Sequence, residues 1–254
     1  MTKNKFKALI VDCDGTLVES KRDALPSSIV TKAILKASGL MHVGIATQRS
    51  LFSARPILEH LKLTGPSIIT GGAQVIDSQT FKILREELIG IDDLYKAIKI
   101  IQDFRKKYNV SFFIQDGEGK DKDWTAGYVP KEPIIVFIPD LKEEVADELK
   151  KELSVISSLS VNKVTPWDGQ FGLVIASSQA TKQHGIFEVA KILGIDTHEI
   201  IGIGDGYNDF PLLMACGLKI AMGNAVPELK EIADYIAPSV DEDGVADVIN
   251  KFVL

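Results

Sequence analysis

Short aliphatic runs alternate with stretches of helical spacing at the start of the chain. The runs at residues 8–11, 42–47 and 67–70 predict strands, and the spacing at residues 28–37 and 50–61 predicts helices. An alternation of strands and helices at this pace indicates a parallel sheet with right-handed crossovers. Each run ends in polar residues, and open sheets of this kind bind ligands outside the carboxyl ends of their strands. The pattern therefore predicts an α/β fold with a site at one edge of the sheet.

The pattern changes near residue 79. The middle third contains two amphipathic helical stretches, a charged loop with two glycines at residues 117–123, and several strand-like runs, two of which are separated by Trp167-Asp168-Gly169. The predicted helices are 91–108 and 141–153, and the predicted strands are 110–114, 134–138, 160–165 and 170–176. Strand runs joined by short turns are typical of antiparallel pairing. This part predicts a separate α+β domain inserted into the first.

The first pattern resumes near residue 181. The predicted elements are a helix at 182–193, a strand at 200–203, a helix through Met214, a strand at 218–222 and a helix at 245–252. We therefore predict an α/β protein with a Rossmann-like parallel-sheet core, formed by residues 1–80 and 179–254. Residues 81–178 are predicted to form the inserted α+β cap domain.

Composition narrows the class of protein. The 254 residues carry a net charge of -6 and no basic patch, which argues against binding to nucleic acid or a membrane surface. No apolar run reaches the roughly 20 residues that span a bilayer, and the start of the chain lacks the apolar segment of a signal peptide. Two cysteines are too few for a disulfide framework. These features predict a cytoplasmic protein and leave its oligomeric state open.

Acidic residues follow two of the predicted strands. Asp12 and Asp14 follow the first strand, and Asp205 and Asp209 follow the strand at 200–203. Four carboxylates in one crevice would repel one another strongly unless a cation lay between them. Oxygen ligands without a nearby His or Cys favour a hard ion, most simply Mg²⁺. The alternative is that each acid merely caps a helix or turns a loop, and acids on two matched strand ends weigh against it.

The residues at these strand ends resemble the motifs of the haloacid dehalogenase (HAD) superfamily. The run DCDGT at 12–16 resembles the first motif, Thr47 fits the second, Lys182 fits the third, and GDGYND at 204–209 fits the fourth. The order and spacing of the motifs also match. The segments at 221–225, 233–235 and 243–246 are similar to those of the Cof-type branch. That branch consists mostly of phosphatases with a large cap inserted between the second and third motifs.

The resemblance implies a role for each chemical group. Asp12 is expected to attack phosphorus, forming an acyl phosphate, and to bind the metal. Asp14 is expected to protonate the leaving oxygen, then to activate water, and to bind the metal through its backbone carbonyl. Thr47 and Lys182 are expected to bind the transferring phosphoryl group, whose negative charge must be neutralised.

Other residues are expected to complete the site. The resemblance implies that Asp205 ligates Mg²⁺ directly, while Asp209 supports the site and Asn208 adds a donor near the phosphate. Gly15 permits the sharp turn after the first strand.

The chain departs from the family pattern at two places. Relatives commonly have Thr-Gly-Arg in the second motif and Asn-Gly-Ala after the third strand, whereas this chain has Thr47-Gln48-Arg49 and Gly71-Gly72-Ala73. Gln48 is a bulky residue where close approach is usual, and Gly72 removes a possible side-chain donor. Arg49, Gly71 and Gly72 are candidate substrate-binding residues. We expect the departures to alter substrate fit and to preserve activity.

These observations predict a Mg²⁺-dependent phosphatase that acts through an aspartyl-phosphate intermediate. Its partner would be a small-molecule phosphomonoester such as a sugar phosphate, with the inserted domain as a lid. One alternative is a phosphomutase of the same superfamily, which returns the phosphoryl group to a sugar. Another is a non-catalytic phosphate-sensing module, although such a module has no need for Asp14 two residues beyond the nucleophile.

Overall fold

A computed structural model describes residues 5–116, 121–123, 131–164 and 171–254. The chain divides into two compact units. The core unit comprises Met1–Glu86 and Thr181–Leu254, and the inserted unit comprises Glu87–Ala180. In the described ranges, no helix is long and apolar enough to cross a membrane.

The core unit contains a five-stranded parallel sheet, a small antiparallel sheet and six helices in its described part. The strands of the core unit are β1 (Ala8–Val11), β2 (His42–Ile45), β3 (Pro66–Ile69), β4 (Gln74–Asp77), β5 (Ile83–Glu86), and, numbered in chain order after the inserted unit, β11 (Ile200–Gly204), β12 (Leu218–Ala221) and β13 (Tyr235–Ile236). The helices are α1 (Ser28–Ala37), α2 (Leu51–Leu61), α5 (Lys182–Leu193), α6 (Phe210–Ala215), α7 (Pro227–Glu231) and α8 (Gly244–Phe252).

The parallel sheet has the strand order β13-β12-β11-β1-β2. Its strand β1, which lies between β11 and β2, is fully buried, as expected for an aliphatic run covered on both faces. Val11 pairs with Ile203 of β11 on one side and with Ile45 of β2 on the other. The carboxyl ends of these three strands therefore lie side by side, and the residues that follow them converge.

The third predicted strand takes a different place from the one expected. β3 pairs antiparallel with β4, which pairs antiparallel with β5, and one parallel bridge between Ala46 and Ile68 links β3 to the end of β2. The bridge confirms the predicted parallel direction of this strand, but the parallel ladder does not continue beyond it, and β3 belongs to a separate antiparallel sheet. β4 and β5 were not predicted because Gln74 interrupts the aliphatic pattern and β5 is short and largely exposed.

In its described residues, the inserted unit contains a five-stranded antiparallel sheet and two helices. Its elements are α3 (Ile91–Tyr108), β6 (Phe113–Asp116), β7 (Asp121–Asp123), β8 (Pro133–Leu141), α4 (Glu143–Leu153), β9 (Leu159–Val164) and β10 (Phe171–Ser177). The strand order is β7-β6-β8-β10-β9, with every pair antiparallel. The apolar faces of α3 and α4 form a separate core with the sheet. The predicted α+β character and antiparallel pairing are confirmed.

Two predictions in this unit have a different outcome. The strand predicted at 110–114 forms later, at β6, and residues 121–123 of the predicted charged loop form β7. The turn predicted at residues 167–169 lies outside the described residues.

Candidate active site

The centre of the site is a buried lysine between two carboxylates. Lys182 donates from Nζ to Asp12 Oδ1 at 2.5 Å and to Asp209 Oδ1 at 2.6 Å. The lysine side chain is 1% exposed, and the two aspartate side chains are 6% and 0% exposed. Because removing a charge from water is costly, a buried lysine requires such partners. Three residues distant in the sequence thus form one buried ionic group.

Local structure fixes each of these residues. Asp12 follows the buried strand β1. Lys182 is the first residue of α5, whose N-cap Thr181 accepts a hydrogen bond from the backbone N–H of His184. Gly72 lies against the backbone of this helix start, where a Cβ would overlap the carbonyl oxygen of Thr181. Only a glycine therefore allows the turn after β3 to pack this closely on the helix that presents Lys182.

Asp209 is held by backbone donors as well as by the lysine. Its Oδ2 accepts hydrogen bonds from the backbone N–H groups of Asp205 and Gly206, each at 3.0 Å. With Oδ1 paired to Lys182, both oxygens are used within the protein. Asp209 thus shapes the loop after β11 and orients the lysine, a geometry that suits the supporting role predicted from the sequence.

Asp205 is the more accessible carboxylate of the loop. Thr16 Oγ1 donates to Asp205 Oδ1 at 2.6 Å, which links this loop to the turn after β1. Gly15 in that turn has φ +82°, and a Cβ there would overlap Asp205 Oδ2. Burial, together with the charge of Asp209, raises the pKa of Asp205 to about 6, while the Thr16 hydrogen bond and the charge of Lys182 oppose the rise. Without a cation, the site therefore disfavours the charged form of Asp205.

The pKa values of Asp12 and Lys182 are both raised, for different reasons. Burial and the charge of Asp209 raise the pKa of Asp12 well above its ordinary value, and the nearby lysine only partly compensates. Burial alone would lower the pKa of Lys182, but the charges and hydrogen bonds of Asp12 and Asp209 raise it above the ordinary value. Lys182 therefore remains an ammonium group at neutral pH.

The carboxylate cluster fits a divalent cation. Asp12, Asp205 and Asp209 each offer an oxygen, and these oxygens lie within 4.8 Å of one another. Three carboxylates and the ammonium of Lys182 leave a formal charge of −2, and a hard divalent ion with oxygen ligands would neutralise it. The pKa values of Asp12 and Asp205 are raised because burial and the neighbouring carboxylates disfavour their charged forms, and a bound cation would offset this effect.

The guanidinium group of Arg49 forms two hydrogen bonds with the carboxylate of Asp14. It donates from Nε and Nη2 to the two carboxylate oxygens of Asp14, at 2.9 and 2.7 Å. Its other guanidinium hydrogens point to the backbone carbonyls of Arg22, Ser53 and Lys21. All five donors of the guanidinium group are thus occupied by protein acceptors. In this arrangement Arg49 binds Asp14, and a substrate contact would require one of these bonds to break.

Thr47 is fully buried beyond β2, and the turn at residues 70–72 lies against it. Its Oγ1 accepts from the backbone N–H of Arg49 at 3.0 Å, and its carbonyl accepts from Gly71 N–H at 2.9 Å. All three residues of the turn have positive φ: 52° at Thr70, 67° at Gly71 and 107° at Gly72. Such strain in a branched residue such as Thr70 persists only where the surroundings impose it, and it is common at functional sites.

The remaining predicted site residue, Asn208, lies in the turn Tyr207–Asp209. Its Oδ1 is 2.6 Å from the position that a Cβ on Gly206 would occupy, so that the side chain folds over this glycine. A donor role toward phosphate stays a prediction.

Sequence reasoning missed one residue that braces the site. Asn224 donates from Nδ2 to the carbonyl of Gly15 at 2.7 Å and accepts at Oδ1 from Val240 N–H at 2.9 Å. It therefore links the turn after β1 to the C-terminal segment. The run at 221–225 resembles the Cof-type pattern, but only the fold brings Asn224 beside Gly15.

Comparisons with known proteins identify the family of the chain. A parallel α/β core with a lysine-carboxylate cluster beyond adjacent strand ends fits the class of HAD-type phosphatases. The family model described as haloacid dehalogenase-like hydrolase matches residues 9–249, and the chain belongs to this family. The resemblance predicted from the motifs is thus confirmed, and the chain is a phosphoric monoester hydrolase of this superfamily.

Three similar proteins show how far the likeness extends. The 5-amino-6-(5-phospho-D-ribitylamino)uracil phosphatase YcsE of Bacillus subtilis (strain 168) is 30% identical over 262 residues, covering 98% of this chain and 96% of the relative. The structure of the HAD phosphatase BT1666 from Bacteroides thetaiotaomicron has a TM-score of 0.79 at 22% identity, covering 99% of this chain and 96% of the other. That of the HAD subclass IIB sugar phosphatase BT4131 has a TM-score of 0.76 at 24% identity, covering 97% and 98%.

Proposed function

We propose that this chain is a Mg²⁺-dependent phosphatase that hydrolyses a small phosphorylated metabolite, a sugar or polyol phosphate, through an aspartyl-phosphate intermediate. The observation that carries the proposal is the buried contact between Lys182 and Asp12 within the carboxylate cluster. The names of two relatives, a ribitylaminouracil-phosphate phosphatase and a sugar phosphatase, support the class of substrate.

The proposed reaction has two displacement steps. In the first step an oxygen of Asp12 forms a bond to phosphorus, the ester P–O bond breaks, and Asp14 gives its proton to the leaving oxygen. In the second step Asp14 takes a proton from water, the water oxygen attacks phosphorus, and the Asp12–phosphorus bond breaks to release phosphate. Thr47 and Lys182 bind the oxygens of the transferring group.

The metal would be held by Asp12, Asp205 and the backbone carbonyl of Asp14. A bound Mg²⁺ would supply positive charge to the phosphoryl oxygens. The hydrogen bonds that Asp209 makes to Lys182 and to the backbone after β11 favour a supporting role for it in this site.

We also propose that the inserted unit acts as a cap that selects the leaving group. A cap of this kind would exclude water before the first step and admit it for the second. Residues 1–80 and 179–254 would then supply the chemistry, and residues 81–178 the choice of substrate.

The test is phosphate release from p-nitrophenyl phosphate and from a panel of sugar phosphates, polyol phosphates, phosphoglycolate and nucleotides. Wild type should release phosphate only with Mg²⁺ present, and Asp12→Asn should lose at least about 10³-fold in kcat. Asp92→Asn, an exposed acid of the inserted unit, is the matched control and should behave as wild type. Unchanged turnover by Asp12→Asn would refute the assigned nucleophile.

A second measurement tests the intermediate itself. Acid quenching during turnover of a ³²P-labelled ester should leave hydroxylamine-labile label on wild type and none on Asp12→Asn. An isomerised sugar phosphate without free phosphate would identify a mutase instead.

A further inference from the structure

Gln48 lies over Gly71, and this contact joins the two places where the chain departs from the family pattern. A Cβ on Gly71 would be 2.5 Å from Gln48 Oε1 and 3.1 Å from both Cδ and Nε2. The whole carboxamide group therefore covers the face of Gly71 where another residue would carry its side chain.

The backbone at Gly71 does not by itself require a glycine. Its φ of 67° and ψ of 9° lie in the left-handed region, which asparagine adopts more readily than other residues that have a side chain. Its N–H donates to the carbonyl of Thr47, an interaction open to any residue except proline. The group that occupies the side-chain space of position 71 is thus the carboxamide of Gln48.

The two departures can then be described as one exchange, in which the side-chain amide moves from position 71 to position 48. The pattern implied by the family resemblance, Thr-Gly-Arg and Asn-Gly-Ala, would place a glycine at position 48 and an asparagine at position 71, whereas this chain has Gln48 and Gly71. Here the side-chain amide is supplied from the second motif and occupies the space above Gly71. The amide group is retained, but it is attached to the neighbouring segment on a longer side chain.

The Gln48 carboxamide is available to a ligand. Gln48 is half-buried. In the described part of the chain, its side chain has no hydrogen-bond partner. It lies between Thr47 and Arg49, both buried, and Gly71 beneath it is followed by Gly72, which packs on the start of the Lys182 helix. The amide is therefore at the rim of the site, next to the groups proposed to bind the phosphoryl group.

We propose that Gln48 is a specificity-determining residue that hydrogen-bonds a hydroxyl group of the leaving alcohol. A neutral carboxamide both donates and accepts, which matches a hydroxyl group, whereas phosphoryl oxygens only accept. The inference rests on the proposed phosphatase function and narrows its substrate to a phosphomonoester of a polyhydroxylated alcohol.

Two esters with the same carbon chain isolate this contact. D-Ribitol 5-phosphate carries hydroxyl groups along a five-carbon chain, and n-pentyl phosphate carries none. Gln48→Met keeps the length of the side chain and removes its hydrogen bonds, so the ratio of kcat/KM for the ribitol ester to that for the pentyl ester should fall about tenfold or more. Gln79→Met, at an exposed glutamine of the same unit, is the matched control and should keep the wild-type ratio.

A double-mutant cycle tests the exchange between positions 48 and 71. Gly71→Asn should displace the Gln48 carboxamide, lower the melting temperature and lower the same ratio. Adding Gln48→Gly should recover both the melting temperature and the kcat/KM ratio. It frees the space above position 71 for the side-chain amide that Gly71→Asn introduces there. Melting temperature reports the packing without relying on activity.

The outcomes are distinct. If wild type hydrolyses both esters and Gln48→Met leaves the ratio unchanged, Gln48 does not determine specificity and the inference is overturned. Additive effects of Gly71→Asn and Gln48→Gly on the melting temperature would overturn the exchange. If wild type releases phosphate from neither ester nor from p-nitrophenyl phosphate, the proposed function fails first, and the inference fails with it.

Discussion

Arg49 forms a two-point contact with Asp14, in which Nε and Nη2 donate to the two carboxylate oxygens at 2.9 and 2.7 Å. The guanidinium group is also fixed by the carbonyls of Lys21, Arg22 and Ser53, and its side chain is 3% exposed. Arg49 thus ties Asp14 to the loop before α1 and to the start of α2. It is best described as a positioning residue for the proposed acid and base.

Replacing Arg49 by lysine should impair the protonation of poor leaving groups. Lysine keeps the charge but cannot contact both oxygens of Asp14 at once. General acid catalysis contributes about 10²- to 10⁴-fold, so we expect kcat for an alkyl phosphate to fall roughly 10- to 100-fold in Arg49→Lys. The loss should be smaller for p-nitrophenyl phosphate, whose leaving group needs little protonation. Steady-state kinetics with the two esters measure this difference.

Asp14→Asn provides the reference for this experiment. If Arg49 acts through Asp14, adding Arg49→Lys to Asp14→Asn should cost little further activity. Equal losses for both esters, or full additivity of the two substitutions, would show that Arg49 acts on substrate binding or on the fold.

Removing the charge of Lys182 should destabilise the protein, and more so at higher pH. Lys182→Met leaves Asp12 and Asp209 buried without their common partner, and breaking a buried ion pair in this way costs about 3–5 kcal/mol. Without the ammonium group the pKa of Asp12 rises further, so protonation relieves the cost at low pH. Urea unfolding in EDTA should therefore show a larger loss at pH 8 than at pH 5.

Lys191→Met is the matched control because Lys191 lies on the same helix with its side chain 76% exposed. Its surface pair with Glu188 is worth at most about 1 kcal/mol, at either pH. A loss in Lys182→Met that is equal at both pH values would mean that the variant fails through packing alone.

Much of the core and the carboxylate cluster could be predicted from the sequence. The aliphatic run of β1 ends at Asp12, and the strand at 200–203 ends before Asp205, so parallel pairing alone brings the two acids together. The place of Lys182 in the site could not be predicted from the strand pattern. A lone lysine at the start of a helix is ordinarily solvated, and only the order of the motifs assigned it to the site.

The contacts that sequence reasoning did not predict depend on the path of loops. Arg49 reaches Asp14 because the carbonyls of Lys21 and Arg22 lie beside its guanidinium group, and no spacing in the sequence indicates where that loop runs. The contact between Gln48 and Gly71 is similar, since it joins two segments at the ends of different strands. Local patterns specify the strands, and the packing of the turns between them specifies these pairs.

Magnesium should stabilise the protein more at neutral pH than at acidic pH. The pKa of Asp205 rises from an ordinary 3.8 to about 6 in the fold. Between these values the native state binds more protons than the unfolded chain, so the free energy of unfolding of the metal-free protein falls as pH rises through this window. The shift from 3.8 to about 6 corresponds to a loss of about 3 kcal/mol by pH 7. A cation that binds the charged form should recover this stability.

Thermal unfolding with EDTA or with Mg²⁺, at pH 5 and pH 7.5, measures this effect. The increase in Tm caused by Mg²⁺ should be larger at pH 7.5. Asp205→Asn keeps an oxygen that accepts from Thr16 and removes the charge, so it should raise the Tm of the metal-free protein at pH 7.5 and reduce the response to Mg²⁺. A response to Mg²⁺ as large as that of wild type would exclude Asp205 as a ligand.

Alanine substitutions at two glycines with positive φ, Gly72 and Gly194, should distinguish the effect of backbone strain from that of close packing. Gly72 has φ 107° and its Cβ would overlap the carbonyl oxygen of Thr181, whereas a Cβ on Gly194, with φ 66°, would meet no atom within 4 Å. Alanine in the left-handed conformation costs roughly 1–2 kcal/mol, and this should be the whole effect of Gly194→Ala. Gly72→Ala should cost more, because the start of α5 must move.

The same movement should reach the active site. Lys182 follows Thr181 directly and contacts Asp12, so a displaced helix start should lower kcat for p-nitrophenyl phosphate about tenfold or more at a temperature where the variant is folded. Gly194→Ala, at the other end of α5, should lower Tm but keep kcat. The two variants therefore distinguish a glycine required by its backbone conformation from one required by close packing. Only Gly72 packs the turn after β3 against the helix start that carries Lys182. If Gly72→Ala lost stability alone, the position of Lys182 would have to be set by Asp12 and Asp209 without help from the turn.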